Sequence, residues 1–147
     1  MKINLTVSPL ANVLALVNEK NGTLLSVDRI TSGPASDPTG ETTDNTEITL
    51  TGIEGHGYSG SLTYTYDRAT LASQEIPTPT VVDVSAGDSV DEVLTKVAAA
   101  LRIIKEAVDW TDLNIPVDAT DGTVTVAPAD GNLLYVGGSI TVALHLV

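Results

Sequence analysis

The sequence predicts a β-rich α+β fold: two tandem strand–helix–strand–hairpin repeats, packed with pseudo-twofold symmetry and with one helix per repeat. Short runs alternate apolar and polar residues, two apolar stripes of helical period each follow a serine cap, and the same element order recurs in both halves of the 147-residue chain. The first repeat spans residues 1–72, a connecting segment that starts the second repeat spans 73–87, and the second repeat spans 88–147. Because about seventy residues bury little core alone, we expect one compact unit.

The first repeat opens with a strand pattern followed by a helix pattern. Residues 2–7 alternate polar and apolar side chains, which predicts a half-buried strand. Ser8 is a typical helix N-cap and Pro9 a typical first helical residue. Apolar residues then recur every three or four positions as far as Asn21-Gly22, where the glycine can end the helix in a left-handed conformation. The same pair could instead turn a β-hairpin, but the apolar spacing favours the helix.

The rest of the first repeat reads as strands and turns. Residues 25–30 form a short strand segment, and the Ser-, Gly-, Pro- and Asp-rich run 32–46 is a loop. Residues 46–51 and 58–66 alternate clearly, with glycines between them, and together predict a β-hairpin.

The second repeat follows the same order. Val82 and Val84 predict a short strand, and Ser89 with Glu92 three residues later matches a capping box. The apolar stripe that follows predicts a helix to about Val108, roughly one turn longer than the first. The remaining segments correspond in order to those of the first repeat: 112–115, 123–126 and 135–142.

Composition excludes several classes of function. Seven basic residues face nineteen acidic ones, for a formal net charge of −12, which argues against binding nucleic acid or an anionic membrane. The chain has no cysteine, so disulfides and thiolate sites are excluded. No run has the length of a signal peptide core or a membrane span, so we expect synthesis in a cytoplasm.

Residues with reactive side chains show no catalytic pattern. His56 lies in a Gly-His-Gly turn and His145 in the last strand, and neither has further ligands at metal-binding spacing. The segment around Ser59 superficially resembles a nucleophile elbow, but its spacing differs and it leads into a strand. We therefore predict no catalytic residue, no metal site and no cofactor.

Acidic loops are the remaining polar feature. Residues 118–122 faintly resemble a calcium loop, but they lack its alternating ligands and terminal glutamate. Ordinary solvated loops are the simpler interpretation, with a structural cation between subunits as the alternative. The loop acids are Asp37, Glu41, Asp44, Glu47, Asp118, Asp121 and Asp130.

Four residues are candidate interface positions. Leu16 and Ile103 lie off the main apolar face of their predicted helices, so each is either covered within its own domain or contacts another subunit. Tyr64 and Tyr66 share one face of a predicted strand, as a core rim or as a binding strip. Trp110 is expected to cover the core.

A group of segments resembles small virion structural proteins of tailed bacteriophages. The resemblance covers residues 1 to about 72, and the second half only as a weaker repeat. Its most specific part is Gly-Tyr-Ser-Gly-Ser at 57–61 followed by Tyr-x-Arg at 66–68. The chain departs from the family pattern in having Asp67-Arg68 where that pattern has Asn-Arg. The other matching segments are Asn21 to Leu24, Ser36 to Gly40 and Thr46 to Thr51.

The resemblance implies a particle component without catalytic residues. From it we expect a homo-oligomeric capsid decoration (cement) protein, made in the bacterial host cytoplasm and located in the virion. Its partners would be the major capsid protein or other virion proteins. The alternatives are a neck, tail or fibre component, and a receptor- or carbohydrate-binding module on the particle.

Overall fold

The computed structural model describes residues 1–71, 81–117 and 121–147, and the prediction of a connecting segment from residue 73 falls partly outside them. Within the described residues the fold is mixed α+β and mostly β, as predicted, with two α-helices and nine strands. The chain divides into two compact units. Unit 1 comprises Met1–Ala69 and Asp130–Leu134, and unit 2 comprises Thr70–Ala129 and Tyr135–Val147.

Unit 1 contains one helix and a three-stranded antiparallel sheet of order β1-β2-β3. Its elements are α1 (Pro9–Asn21), β1 (Ile30–Ser32), β2 (Thr46–Gly52) and β3 (Ser61–Tyr66). The predicted hairpin is confirmed: β2 and β3 pair antiparallel, with Ile48 opposite Tyr64 and Leu50 opposite Leu62. The core of unit 1 is formed by Val13, Leu14, Val17, Ile30, Ala35, Ile48, Leu50 and Tyr66.

Helix α1 begins and ends where the sequence predicts. The Ser8 hydroxyl accepts a hydrogen bond from the Ala11 N–H, and Pro9 occupies the first helical position. Gly22 takes a left-handed conformation with φ 65°, and its N–H donates to the Asn18 carbonyl. The helix is confirmed, and the alternative hairpin at Asn21-Gly22 is wrong.

The predicted strand at residues 2–7 is wrong. The Asn4 side chain accepts hydrogen bonds from the Thr6 N–H and hydroxyl, which folds the backbone into a turn. The buried Asn12 side chain accepts from the Asn4 N–H and donates to the Asn4 carbonyl. Side chains therefore bind the backbone groups that a neighbouring strand would bind. The strand predicted at 25–30 is also displaced, because Ile30 N–H donates to Ser26 in a turn and β1 begins only at Ile30.

Unit 2 contains one helix and a four-stranded mixed sheet of order β5-β9-β7-β6. Strand β5 is parallel to β9, whereas the other two pairs are antiparallel. The two-residue strand β4 (Ala69–Thr70), at the boundary between the units, pairs with β8. The remaining elements are β5 (Val81–Val84), α2 (Val90–Leu101), a 3-10 helix (Lys105–Ala107), β6 (Val108–Asn114), β7 (Gly122–Pro128), β8 (Tyr135–Val136) and β9 (Ile140–Leu146).

Helix α2 confirms the predicted capping box but ends early. The Ser89 hydroxyl accepts from Glu92 N–H, and the Glu92 carboxylate accepts from Ser89 N–H. Arg102 then takes a left-handed conformation with φ 54°, and the next residue donates its N–H to Ala98. The predictions of an end near Val108 and of an extra turn are wrong: α2 has 12 residues against 13 in α1.

Candidate interaction surfaces

Polar side chains form no metal cluster in the described ranges, where no group of three His, Asp or Glu is placed to hold an ion. His145 lies beside Asp121, with Nδ1 and Oδ1 3.2 Å apart and both side chains exposed. His56 and Ser59 lie in the exposed connection between β2 and β3. The resemblance to a calcium loop concerns residues 118–122, of which 118–120 lie outside the described residues.

The shifted carboxyl pKa values in unit 2 have structural causes. A hydrogen bond from Lys96 is the main reason that the pKa of Asp88 lies below its usual value. The pKa of Glu92 is lowered mainly by the hydrogen bond from the Ser89 backbone. Both groups stabilise the start of α2, and neither shift by itself indicates an acid–base pair.

Tyr64 and Tyr66 stack on each other but do not form an exposed strip. Their ring centroids are 6.2 Å apart with 22° between the ring planes. Tyr66 is 0 % exposed, its hydroxyl donates to the Leu133 carbonyl at 2.7 Å, and burial raises its pKa. Tyr64 is half-buried, and its enclosed hydroxyl has no hydrogen-bond partner among the described residues. The structure therefore places Tyr66 in the core, which favours the predicted core rim over the binding strip for this residue.

Leu16 and Ile103, which lie off the main apolar faces of their predicted helices, differ in their position in the structure. Ile103 is 5 % exposed, because α2 ends at Leu101 and the chain after it turns into the core of unit 2. Ile103 is therefore covered within its own unit, which is the first of its two predicted alternatives. Leu16 is half-buried and packs at the margin of the unit 1 core, where it also lines a groove.

Two grooves flank the outward side of α1. One has a volume of about 320 Å³ and includes Val7 and Leu16 in its wall. The other has a volume of about 260 Å³ and includes Val27. Both are lined by Ala11 and Ala15, so these small residues form a low ridge between them. We call Val7, Ala11, Ala15, Leu16 and Val27 the α1 surface.

Apolar side chains are exposed on the α1 surface and next to it in sequence. Val7 and Val27 are 39 % and 48 % exposed, and Leu24 is 88 % exposed. Clustered exposed apolar side chains are typical of surfaces that bind another protein. Of the residues that form the α1 surface, sequence reasoning named only Leu16. It missed Val7 because it assigned residues 2–7 to a half-buried strand. The alanines at positions 11 and 15, one helical turn apart, were the available signal.

Strand β3 provides a second exposed feature of unit 1. Among the described residues, only β2 is hydrogen-bonded to it. Leu62, which faces Leu50 across the pair, is 60 % exposed. An edge strand of this kind exposes unpaired backbone groups together with apolar surface.

Comparison with known proteins gives one match. The model of a protein family described as a family of unknown function (DUF7941) matches residues 5–145. Neither curated proteins nor solved structures give a match. No helix in the described part of the chain is long and apolar enough to cross a membrane.

Proposed function

The chain belongs to the DUF7941 family, and we propose that it is a non-enzymatic virion structural protein, specifically a capsid decoration protein that stabilises a bacteriophage head. The observation that carries this proposal is the α1 surface. It offers exposed valines and two shallow grooves in an otherwise strongly acidic chain. One groove is mainly apolar, and the other also has Lys2, Asn4, Asn12 and Glu19 in its wall. The resemblance of residues 57–61 and their neighbours to virion proteins supplies the class of partner.

The mechanism that we propose is mechanical. Many copies would each place the α1 surface against the major capsid protein or another virion protein and so oppose the separation of capsid subunits. Each contact is modest, but simultaneous contacts on one particle add through avidity. The net charge of −12 would keep decorated particles apart in solution. Synthesis in the host cytoplasm and assembly as a homo-oligomer are parts of this proposal.

Internal duplication is also part of the proposal. Both units contain a serine-capped helix followed by paired antiparallel strands. We infer from this order that residues 1–72 and 88–147 are tandem repeats related by a pseudo-twofold axis. A duplicated module would give the particle component two surfaces from one gene segment.

Two alternatives remain distinct from the proposal. A neck, tail or fibre component would use the same α1 surface but assemble with ring or axial symmetry. A receptor- or carbohydrate-binding module would need exposed aromatic rings, and the burial of Tyr66 disfavours it.

Binding to capsids tests the function directly. We would mix the purified protein with capsids that lack it, prepared from the phage that encodes it. We expect saturation at a fixed ratio to capsid subunits and a higher capsid melting temperature. Absence of binding, combined with ring-sized or elongated oligomers of the free protein, would contradict capsid decoration and favour the neck or tail.

A matched pair of variants tests the surface. Val7→Asp introduces a charge on the α1 surface, and Val90→Asp introduces the same charge at a similarly exposed valine of unit 2. An aspartate at position 90 suits the first residue of a helix, so that variant should fold. We expect capsid binding to fall at least tenfold for Val7→Asp only. Equal binding by both variants would show that the α1 surface is not the contact.

A further inference from the structure

The free edge of β3 can be located from the hydrogen bonds of β2. On one side of β2, Gly33 N–H donates to the Thr49 carbonyl, and on the other side Gly52 N–H donates to the Gly60 carbonyl. Odd-numbered residues of β2 therefore bond toward β1 and even-numbered residues toward β3. Because hydrogen-bonding direction alternates along an antiparallel strand, alternate residues of β3 direct their N–H and C=O groups away from β2. These residues are Ser61, Thr63 and Thr65.

This edge lacks the usual protection against pairing. Residues 57–66 contain no charged side chain and no proline, the two commonest devices that block edge pairing. Two carboxylates beside the strand accept hydrogen bonds within the chain. Thr65 donates its hydroxyl to Asp44 at 2.7 Å, and Asp67 accepts from the Asn45 N–H at 2.8 Å.

Charge favours a second copy of this chain as the occupant. With a net charge of −12, two copies repel each other wherever acidic surfaces meet. The run 57–66 carries no charge, so two copies can approach along it without repulsion between its own side chains. The side chains along this edge are also compatible with those of a second copy, because an antiparallel pairing places only uncharged residues opposite each other.

We propose that β3 pairs antiparallel with β3 of a second copy around a two-fold axis at Thr63. In this register Thr63 faces itself, Ser61 faces Thr65, and the outward backbone groups of these residues bond across the interface. Leu62 then lies opposite Tyr64 of the second copy, which covers a side chain that is 60 % exposed in the single chain. The dimer contains a continuous six-stranded sheet.

Unit 2 shows what the equivalent strand gains from a second neighbour. Strand β9 is paired with β7 on one side and with β5 on the other. Leu144, which lies between both neighbouring strands, is 0 % exposed. The small area of a five-residue pairing implies a weak dimer, which high local concentration favours.

Single cysteines test the register, because the chain has no cysteine of its own. Facing residues in a hydrogen-bonded antiparallel pair have Cα atoms about 5.5 Å apart, within disulfide range. Under copper–phenanthroline oxidation of the concentrated protein, we expect Thr63→Cys to form covalent dimers. Ser61→Cys and Thr65→Cys should crosslink in a mixture, at least tenfold more than either does alone.

A charge variant tests the contact. Leu62→Lys in the Thr63→Cys background should reduce crosslinking at least tenfold. Leu24→Lys, at a residue that is 88 % exposed and outside β3, is the control and should leave crosslinking unchanged. Circular dichroism of each variant would show that the fold is intact, as the exposure of these side chains predicts.

Three results would overturn the proposal. The first is absence of Thr63→Cys dimers in the folded protein, and the second is equally efficient crosslinking of Ser61→Cys with itself. The third is preferential crosslinking of Thr63→Cys with Leu5→Cys, which would make the exposed segment 2–7 of another copy the occupant of the edge. The test uses no capsids, so its failure would leave the proposed capsid role untouched.

Discussion

The two units start from similar sequence patterns and complete their sheets differently. Unit 1 has three antiparallel strands, and its β3 is paired on one side among the described residues. Unit 2 has a fourth strand, β5, which runs parallel to β9 and covers that edge. Residues 2–7 hold the corresponding position before α1 and show the same alternation, yet they form a turn.

The length of the connection to the helix accounts for this difference. Five residues separate β5 from α2, and Gly87 among them takes a φ of 90° that allows a sharp change of direction. Only Ser8 separates Val7 from α1. A strand that returns as a helix over the same sheet needs a connection of about two to six residues. Alternation therefore predicts a strand correctly only where the following loop lets the strand reach a neighbour.

The largest expected effect concerns the dependence of unit 1 on residues 130–134. In this segment Leu133 accepts the Tyr66 hydroxyl hydrogen bond, and Asn132 accepts a bond from Arg68. Each lost bond to a buried group costs about 1–3 kcal/mol, and a small domain has only about 5 kcal/mol in total. We therefore expect a fragment of residues 1–71 to be unfolded, as measured by its circular dichroism spectrum.

The control for this fragment carries residues 129–134 on a flexible linker, which should restore the fold. A folded fragment without that segment would show that unit 1 is self-sufficient. Each unit would then fold independently of the other.

The second prediction concerns the first inward position of each hairpin. The first residue of the first strand is the buried Thr46 in unit 1 and the buried Gly122 in unit 2. A Cβ atom at Gly122 would overlap the Asn114 carbonyl. We expect Gly122→Ala to destabilise unit 2 by about 3 kcal/mol, since backbone cannot move aside cheaply. Urea unfolding followed by Trp110 fluorescence measures this, because the only tryptophan lies in β6.

Gly40→Ala is the control, because a Cβ at Gly40 meets nothing within 4 Å. An unchanged urea midpoint for Gly122→Ala would mean that the close approach relaxes without cost. The difference between the two hairpins would then be incidental.

The third prediction contrasts the buried tyrosines at alkaline pH. Burial raises the pKa of both Tyr66 and Tyr135 above the usual value of about 10. Stability from each neutral hydroxyl is therefore complete below that value and is lost as the pH rises through the folded-state pKa. Tyr66 donates its hydrogen bond, which ionisation breaks, whereas Tyr135 accepts one from Ile104 N–H, and that bond favours the ionised form.

We expect Tyr66→Phe to cost about 1–2 kcal/mol at neutral pH and to weaken the alkaline loss of stability. Tyr135→Phe should weaken that alkaline loss less. Urea midpoints between about pH 8 and 11 measure both effects. A larger change for Tyr135→Phe would contradict the assigned donor and acceptor roles.

The smallest effect concerns the helix caps at acid pH. The lowered pKa of Glu92 means that its contribution to α2 is present above the usual value and is lost as the pH falls through the folded-state pKa. Helix α1 has no acidic residue in its first turn, so its Ser8 cap should not titrate. An NMR titration should shift the Ser89 amide signal, and Glu92→Gln should remove that shift. An equal pH-dependent shift of the amide signals at the Ser8 and Ser89 caps would contradict the expected difference between the two helices.

Local signals account for what could be predicted of the fold. The caps at Ser8 and Ser89 lie within three residues of the groups that they bind, and the hairpin of β2 and β3 follows from alternation around a glycine turn. The end of α2 could not be predicted, since Ala98 to Val108 suits a helix until packing turns Ile103 inward. The surface residues were missed for the same reason, because exposure depends on distant neighbours.

The sequence by itself determined the β-rich α+β class, the starts of both helices and the absence of cysteine chemistry, since each depends on composition or near neighbours. Only the tertiary structure decided that residues 130–134 complete unit 1, that Tyr66 is buried and that residues 2–7 form no strand. These outcomes depend on which hydrogen-bonding groups and apolar faces meet across long stretches of chain. Alternation specifies which side chains would share a face of a strand, but the strand forms only where neighbouring backbone and side chains pair and pack with it.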